Sequence, residues 1–184
     1  MAPTAREYFQ PIAAALLLAA SAGCHTAQVE QPLTADLAGP GVEPTMEYWH
    51  RMNDQPITSN DQAFHGLLLF LDGADASQDY AGRVALMKSH GWLPANFDEP
   101  ERESVKRGTV AVVLVKALRV KGGLTMRVFG PGERYALREL QHLGVYPPSS
   151  PMQPFSGAQF VAMIGRVEDY QRQKGAAAPP PQAP

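Results

Sequence analysis

A repeat of about 50 residues is the feature that most constrains how this chain folds. When Gly91 is aligned with Gly144, a helical pattern precedes each glycine, and an apolar pair and a proline-bearing loop follow it. The segments after the loops then match at their apolar positions, with Val105, Val110, Val113 and Leu114 on Phe155, Phe160, Met163 and Ile164. A helix, a loop and a helix in each unit predict stacked helical modules.

The helix starts inside the repeat follow the same period. Ser156 and Gln159 have the spacing of a capping box, in which the two side chains satisfy free N–H groups at a helix start. Thr58 and Asp61 have the same spacing, and Lys106 holds the matching position of the middle unit. The starts at 58, 106 and 156 are 48 and 50 residues apart, which indicates about three degenerate copies.

We therefore predict an all-α domain of about three degenerate helix-loop-helix repeats. Helical periodicity of apolar residues recurs over 64–71, 80–91, 136–143 and 160–167, and Ser77 is a suitable N-cap for the second of these segments. The segment Val110–Val115 is ambiguous, because it is β-branched enough to be a buried strand. Its place in the repeat favours a helix.

Cys24 is the single cysteine of the chain, and it directly follows a signal-like segment. The apolar run at 12–20, preceded by Arg6, is too short to span a bilayer core of about 30 Å. Ser21-Ala22-Gly23-Cys24 resembles the lipobox of bacterial lipoproteins, with Ser21 where that family usually has leucine. The resemblance implies export, cleavage before Cys24, and acylation that anchors the protein to a membrane of the cell envelope. A plain secretory signal with an incidental cysteine, or a buried core thiol, is the alternative.

Composition sets the expected ends of the domain. The segment 25–44 contains Gly39-Pro40-Gly41 and no Lys or Arg, which is typical of a flexible tether. The segment 175–184 consists mostly of alanine and proline and cannot bury a core. We expect a signal peptide at 1–23, a lipid-anchored flexible linker at 24–44, a helical domain at 45–173 and a disordered tail at 174–184.

The repeated units resemble the S-layer homology module over roughly residues 57–170. In that module a helix, a Gly-apolar pair and a loop lead to a Thr-Arg-x-Glu helix start. The first copy, Thr58-Ser-Asn-Asp61, keeps both ends of that motif, the second, Lys106-Arg107-Gly108-Thr109, keeps the arginine, and the third, Ser156-Gly-Ala-Gln159, keeps the cap. The resemblance implies small helical units, usually three together, that bind anionic cell-wall polymers. Unrelated helical hairpins with generic caps are the alternative.

A second stretch is similar to the small helical peptidoglycan-binding domain. The segment Arg134–Pro147 contains the Leu-Gln, Leu-Gly and Tyr-Pro pattern of that family, and Phe129-Gly130-Pro131 precedes it. The order of these pieces differs from that in the family. The similarity implies peptidoglycan as a partner, and both families belong to the cell envelope.

Charge is unevenly distributed along the chain. Residues 1–105 carry 5 Lys and Arg against 14 Asp and Glu, whereas residues 106–184 carry 11 against 4. The basic residues between 106 and 138 are Lys106, Arg107, Lys116, Arg119, Lys121, Arg127, Arg134 and Arg138. Several of them on one face would attract an anion. The alternative is that they are solvated helix faces, partly paired with the acidic residues of 98–103.

No catalytic constellation is evident. The histidines at 50, 65, 90 and 142 lack metal-ligand spacing, and the chain has no nucleophile elbow. The acidic segment Asp72–Asp79 lacks the order of a calcium loop, so a turn with helix-capping acids is the favoured interpretation. We therefore expect no enzyme, no metal and no cofactor. The formal net charge of -2 also disfavours nucleic acid as a partner.

These patterns predict a non-catalytic envelope lipoprotein that binds an anionic cell-wall polymer or peptidoglycan. The predicted polymer-binding residues are Lys106, Arg107 and Trp92, with the two basic side chains exposed around a groove near the tryptophan. The predicted lipidation site is Cys24. The alternative is a structural lipoprotein that docks another envelope protein, for which an exposed apolar patch of several hundred Å² would be needed.

Overall fold

The computed structural model describes residues 27–30, 33 and 42–176. The described chain contains seven helices, and its non-helical backbone pairs only through isolated bridges. The helices are α1 (Val42–Asn53), α2 (Asn60–Leu71), α3 (Tyr80–Ser89), α4 (Arg107–Ala117), α5 (Leu124–Phe129), α6 (Glu133–His142) and α7 (Gly157–Ala176). The predicted all-α class is confirmed.

The ambiguous segment Val110–Val115 is helical and lies inside α4. Every residue of α4 from Arg107 to Val115 is buried. A helix that is buried on all sides needs no polar face, so it lacks the amphipathic period by which helices are recognised in sequences. The repeat identified this helix correctly where its own composition did not.

The helices form three pairs. In the first pair α2 packs on α3, and in the second α4 packs on α6, with the short α5 beside α6. The third pair is made by the first and last helices of the described chain, because α7 packs on α1. The rings of Trp49 in α1 and Phe160 in α7 are stacked with their centroids 6.4 Å apart. The helix that starts each repeat copy therefore packs on a second helix: α2 on α3, α4 on α6, and α7 on α1.

The segments that precede α2, α4 and α7 meet in the interior, at a place we call the junction. It is defined by Thr58, Val105 and Phe155, all buried. The backbone N–H of Thr58 donates to the carbonyl of Phe155 at 2.9 Å, and that of Val105 donates to the carbonyl of Thr58 at 2.9 Å. The apolar residues that coincide between the second and third copies are all buried.

The two glycines that aligned the repeat end their helices in the same way. Gly91 after α3 and Gly144 after α6 have φ angles of 71° and 74°, in the left-handed region that glycine adopts without strain. In each case the next N–H bonds back into the last turn, from Trp92 to Met87 and from Val145 to Leu140, both at 2.9 Å. This is the glycine-dependent hydrogen bonding of a Schellman-type helix end.

Two predicted caps are displaced. The capping box of α2 is formed by Ser59 and Gln62, not by Thr58 and Asp61. Ser59 has the extended conformation of an N-cap residue, and its hydroxyl accepts the N–H of Gln62 at 3.1 Å. The N-cap of α3 is Asp79, not Ser77. The capping box of α7 at 156 and 159 is present as predicted.

Part of the segment expected to be a linker lies on the domain. The N–H of Val29 donates to the carbonyl of Arg102 at 2.9 Å, and the side chains of Val29 and Leu33 are buried. The first helix begins at Val42, before the predicted boundary at 45, and α7 continues to Ala176, past the boundary at 173. Cys24 and the signal-like segment lie outside the described residues. None of the helices that the structure describes is long and apolar enough to cross a membrane.

Candidate functional site

Arg107, one of the predicted polymer-binding residues, is the first residue of α4 and lies next to the junction. It is only 3% exposed, contrary to the expectation of an exposed groove residue. Its guanidinium carbon lies 4.8 Å from the centre of the Phe155 ring, in a cation–π arrangement. The repeat explains this burial, because α4 enters the interior where the three helix starts meet.

The guanidinium of Arg107 binds two neutral acceptors from the third copy. Its Nη2 donates to Oε1 of Gln159 at 2.6 Å, and its Nε donates to the carbonyl of Pro154 at 3.3 Å. The same Oε1 of Gln159 accepts the N–H of Ser156 in the capping box of α7. The cap predicted from the sequence thus also holds the arginine of the neighbouring copy.

No carboxylate among the described residues pairs with Arg107. Burial lowers the pKa of its guanidinium below the usual range, although an arginine stays protonated at any ordinary pH. A buried charge is normally paired, because removing it from water costs several kcal/mol. Arg107 is therefore a buried cation whose protein partners, within the described chain, are a carbonyl, an amide and an aromatic ring.

Arg83 shows the contrasting arrangement in the first helix pair. It is 2% exposed, and its guanidinium binds Oδ1 of Asp61 and Oδ2 of Asp75, each at 2.5 Å. His65 Nδ1 lies 2.6 Å from the same oxygen of Asp75. Burial opposes ionisation of Asp75, but hydrogen bonds from His65 and Arg83 outweigh it and lower the pKa to about 2. This is a buried ion cluster in which the guanidinium has carboxylate partners, and the sequence did not predict it.

Lys106 and Trp92 have other neighbours. Lys106 Nζ pairs with Oε1 of Glu99 at 2.5 Å. Trp92 is half-buried and stacks on His90, with ring centroids 4.5 Å apart. Each of the three predicted polymer-binding side chains thus has a different set of partners, and only Arg107 has a charge that the described residues leave uncompensated.

A groove of about 380 Å³ lies between the loop that follows α3 and the second helix pair. The loop 93–99 forms one wall, and α4 with the start of α6 forms the other. Its charged lining residues are Asp98, Glu99, Glu133 and Lys116. Glu99 is paired with Lys106, and the other two carboxylates against one ammonium still leave the lining net negative. A polyanion would therefore have to bind elsewhere.

The other basic residues of the second copy lie at the surface. Five of them are exposed and form no ion pair with any residue that the structure describes. They are Arg119, Lys121, Arg127, Arg134 and Arg138. The alternative in which the basic run is paired with the acids of 98–103 holds only for Lys106.

The described residues contain no group of three or more His, Cys, Asp or Glu side chains that could hold a metal ion. In the acidic segment 72–79, Asp79 caps α3 and Asp75 binds Arg83 and His65, as in a turn with structural acids.

No family model matches this chain, and neither a curated protein nor a solved structure matches it.

Proposed function

We propose that this protein is a non-catalytic lipoprotein of the cell envelope, exported and anchored through Cys24, that binds an anionic wall polymer or peptidoglycan at Arg107. The observation that carries the binding proposal is the uncompensated guanidinium of Arg107 at the junction. The polymer would supply the carboxylate or phosphate that the described protein does not.

The energetics of Arg107 support an anionic ligand. Its contact with Phe155 contributes about 0.5 to 2 kcal/mol, which is less than the several kcal/mol that burial of a charge costs. Two of the five N–H donors of the guanidinium bind protein acceptors within the described residues. A planar anion can take two parallel N–H groups of an arginine, the geometry for which arginine is preferred over lysine.

Gln159 controls access to Arg107. The Gln159 residue is exposed, whereas the arginine beneath it is buried. Rotation of this one side chain away from Nη2 would open the guanidinium to solvent without moving a helix. The anion then replaces a neutral amide oxygen with a charged acceptor, and charge-assisted hydrogen bonds are roughly twice as strong as neutral ones.

The substitution Gln159→Glu is expected to raise stability and weaken polymer binding. The new carboxylate would sit 2.6 Å from Nη2 of Arg107, at a helix start where a negative charge is favourable, and Glu serves in a capping box as well as Gln. We expect a gain of about 1 kcal/mol in the free energy of unfolding. We also expect a loss of about tenfold or more in affinity for isolated sacculi or wall polymer, measured by co-sedimentation across a salt series.

Gln171→Glu is the matched control, because it makes the same charge change on an exposed residue of the same helix. It is expected to leave binding near that of the unmodified protein. If the two variants bind equally well, Arg107 is not the binding site. If the unmodified protein does not bind even at low salt, the protein-docking alternative becomes the better hypothesis.

Acylation is tested separately from binding. We expect a fatty-acid probe supplied to growing cells to label the protein, and Cys24→Ala to lose that label entirely, because the thiol is the acceptor in lipoproteins of this kind. The measured quantity is the amount of label on the immunoprecipitated protein. Equal labelling of both forms would rule out Cys24 as the lipidation site.

A further inference from the structure

The short helix α5 exposes large apolar side chains amid basic residues. Leu124, Val128 and Phe129 are 78%, 65% and 73% exposed, whereas Met126 on the same helix is buried. The segment 119–132 contains Arg119, Lys121 and Arg127 and no Asp or Glu. We call this segment the α5 edge. Its exposed surface is apolar and cationic at once.

The α5 edge is held in place by α6. The ring of Phe129 stacks on that of Tyr135, with centroids 6.3 Å apart, and Oε2 of Glu139 accepts the N–H of Gly123 at 3.0 Å. Arg134 and Arg138 of α6 are also exposed, whereas the two acidic residues of that helix, Glu133 and Glu139, are half-buried. The apolar side chains are therefore presented from a fixed position.

Arg119 occupies a position where three other helix ends have glycine. Its φ angle is 51°, and it is the one non-glycine residue with a positive φ among those the structure describes. It follows the end of α4, as Gly73, Gly91 and Gly144 follow the ends of their helices at φ angles of 71° to 79°. An arginine there carries a conformational cost that glycine does not. The position nevertheless places a cationic side chain at the exposed surface.

We infer that the α5 edge docks on a bilayer that contains anionic phospholipid. Apolar side chains flanked by Lys and Arg match the layering of a membrane interface, in which acyl chains lie beneath negatively charged headgroups. Each basic residue near such a surface increases binding by roughly fivefold. This inference goes beyond polymer binding at Arg107 and uses none of the residues of that site.

A bilayer fits this surface better than a protein partner does. A specific protein interface buries about 800 Å² on each side, with 20 to 30 residues. Three apolar side chains from a six-residue helix form a much smaller patch. A membrane requires no shape complementarity, so a few inserted side chains and a positive field suffice.

Hydrogen exchange of the full-length chain on vesicles tests the inference. The apolar run at 12–20 can bring every variant to a bilayer, so binding of the whole chain would not distinguish the variants. The measured quantity is therefore the amide exchange rate within 119–132. On vesicles of phosphatidylglycerol and phosphatidylcholine, we expect exchange in this segment to slow about tenfold. On pure phosphatidylcholine, we expect much less slowing. Equal slowing on both, or none on either, would overturn the inference.

Matched variants separate the apolar contribution from the basic one. Leu124→Ser with Val128→Ser and Phe129→Ser is expected to remove the slowing. Met46→Ser with Met152→Ser, at residues that are 66% and 64% exposed elsewhere, is expected to preserve it. Arg119→Gly is expected to reduce docking about fivefold while stability stays the same or rises, because the strained φ is relieved.

The remaining outcomes identify other occupants. If exchange slows with rising protein concentration in the absence of vesicles, the α5 edge binds a second copy of the chain and not a bilayer. If soluble dextran sulfate slows exchange even in the triple serine variant, the α5 edge binds a polyanion and not a bilayer. Gln159→Glu should leave docking unchanged, which keeps this result independent of polymer binding at Arg107.

Discussion

Arg83→Met is expected to lower the free energy of unfolding by about 3 to 5 kcal/mol. The substitution keeps a side chain of similar length but removes the cation that Asp61 and Asp75 share inside the first helix pair. Loss of one partner from a buried ion cluster leaves charge in a medium that solvates it poorly. Denaturant unfolding followed by circular dichroism at neutral pH measures the loss.

Arg107→Met is the matched control for this prediction. The two arginines are almost equally buried, at 2% and 3%, but Arg107 has no carboxylate partner among the described residues. Its replacement removes an uncompensated charge and fills the same space with an apolar chain, so stability should change by no more than about 1 kcal/mol. Similar losses in both variants would show that packing, not charge compensation, determines stability at both sites.

A second set of variants tests the origin of the Arg83 effect. When Asp61→Asn and Asp75→Asn are added to Arg83→Met, the buried charges are gone together, and part of the lost stability should return. The same two changes made with Arg83 intact should instead destabilise the protein. Opposite signs in the two backgrounds are the signature of an ion cluster, and independent effects would contradict it.

Most of the architecture was predictable because the repeat constrains it at several levels. The apolar positions shared by the second and third copies are buried, and Gly91 and Gly144 end their helices alike. The repeat also assigned α4 correctly as a helix despite its β-branched composition. Local propensity fails for that helix because tertiary burial, and not amphipathicity, determines its sequence.

The parts that the sequence did not reveal depend on contacts between distant residues. Asp61 looked like a capping residue, yet the cap is one position earlier, and its carboxylate binds Arg83, 22 residues away. Arg107 looked like a surface cation, yet it reaches Gln159 across 52 residues. Spacing along the chain carries no signal for either pairing. The first results from the packing of α3 on α2, and the second results from how the starts of α4 and α7 meet at the junction.

The sequence did not predict the third helix pair either, because its two members are the first and last helices of the described chain. The pairing of α1 with α7 brings the number of helix pairs in the described chain to three. The closure matters for the proposed function, because α7 carries the Gln159 that covers Arg107.

Gly157→Ala is expected to destabilise the protein by about 3 kcal/mol, because it forces this pair of helices apart. A Cβ at position 157 would lie 1.7 Å from the carbonyl oxygen of Met52, at the end of α1. That atom belongs to the backbone and cannot rotate away. The N–H of Gly157 also donates to the carbonyl of Gln55 at 2.8 Å, so any separation weakens this hydrogen bond as well.

Gly165→Ala, in the same helix, should have the opposite effect. A Cβ there meets no atom within 4 Å, so the variant gains the higher helix propensity of alanine, roughly 1 kcal/mol, without a clash. Thermal and denaturant unfolding of the two variants should therefore fall on either side of the unmodified protein. If Gly157→Ala were as stable as Gly165→Ala, α1 would not end against the start of α7. The third repeat copy would then lack its partner helix, and Gln159 would lose the fixed position from which it covers Arg107.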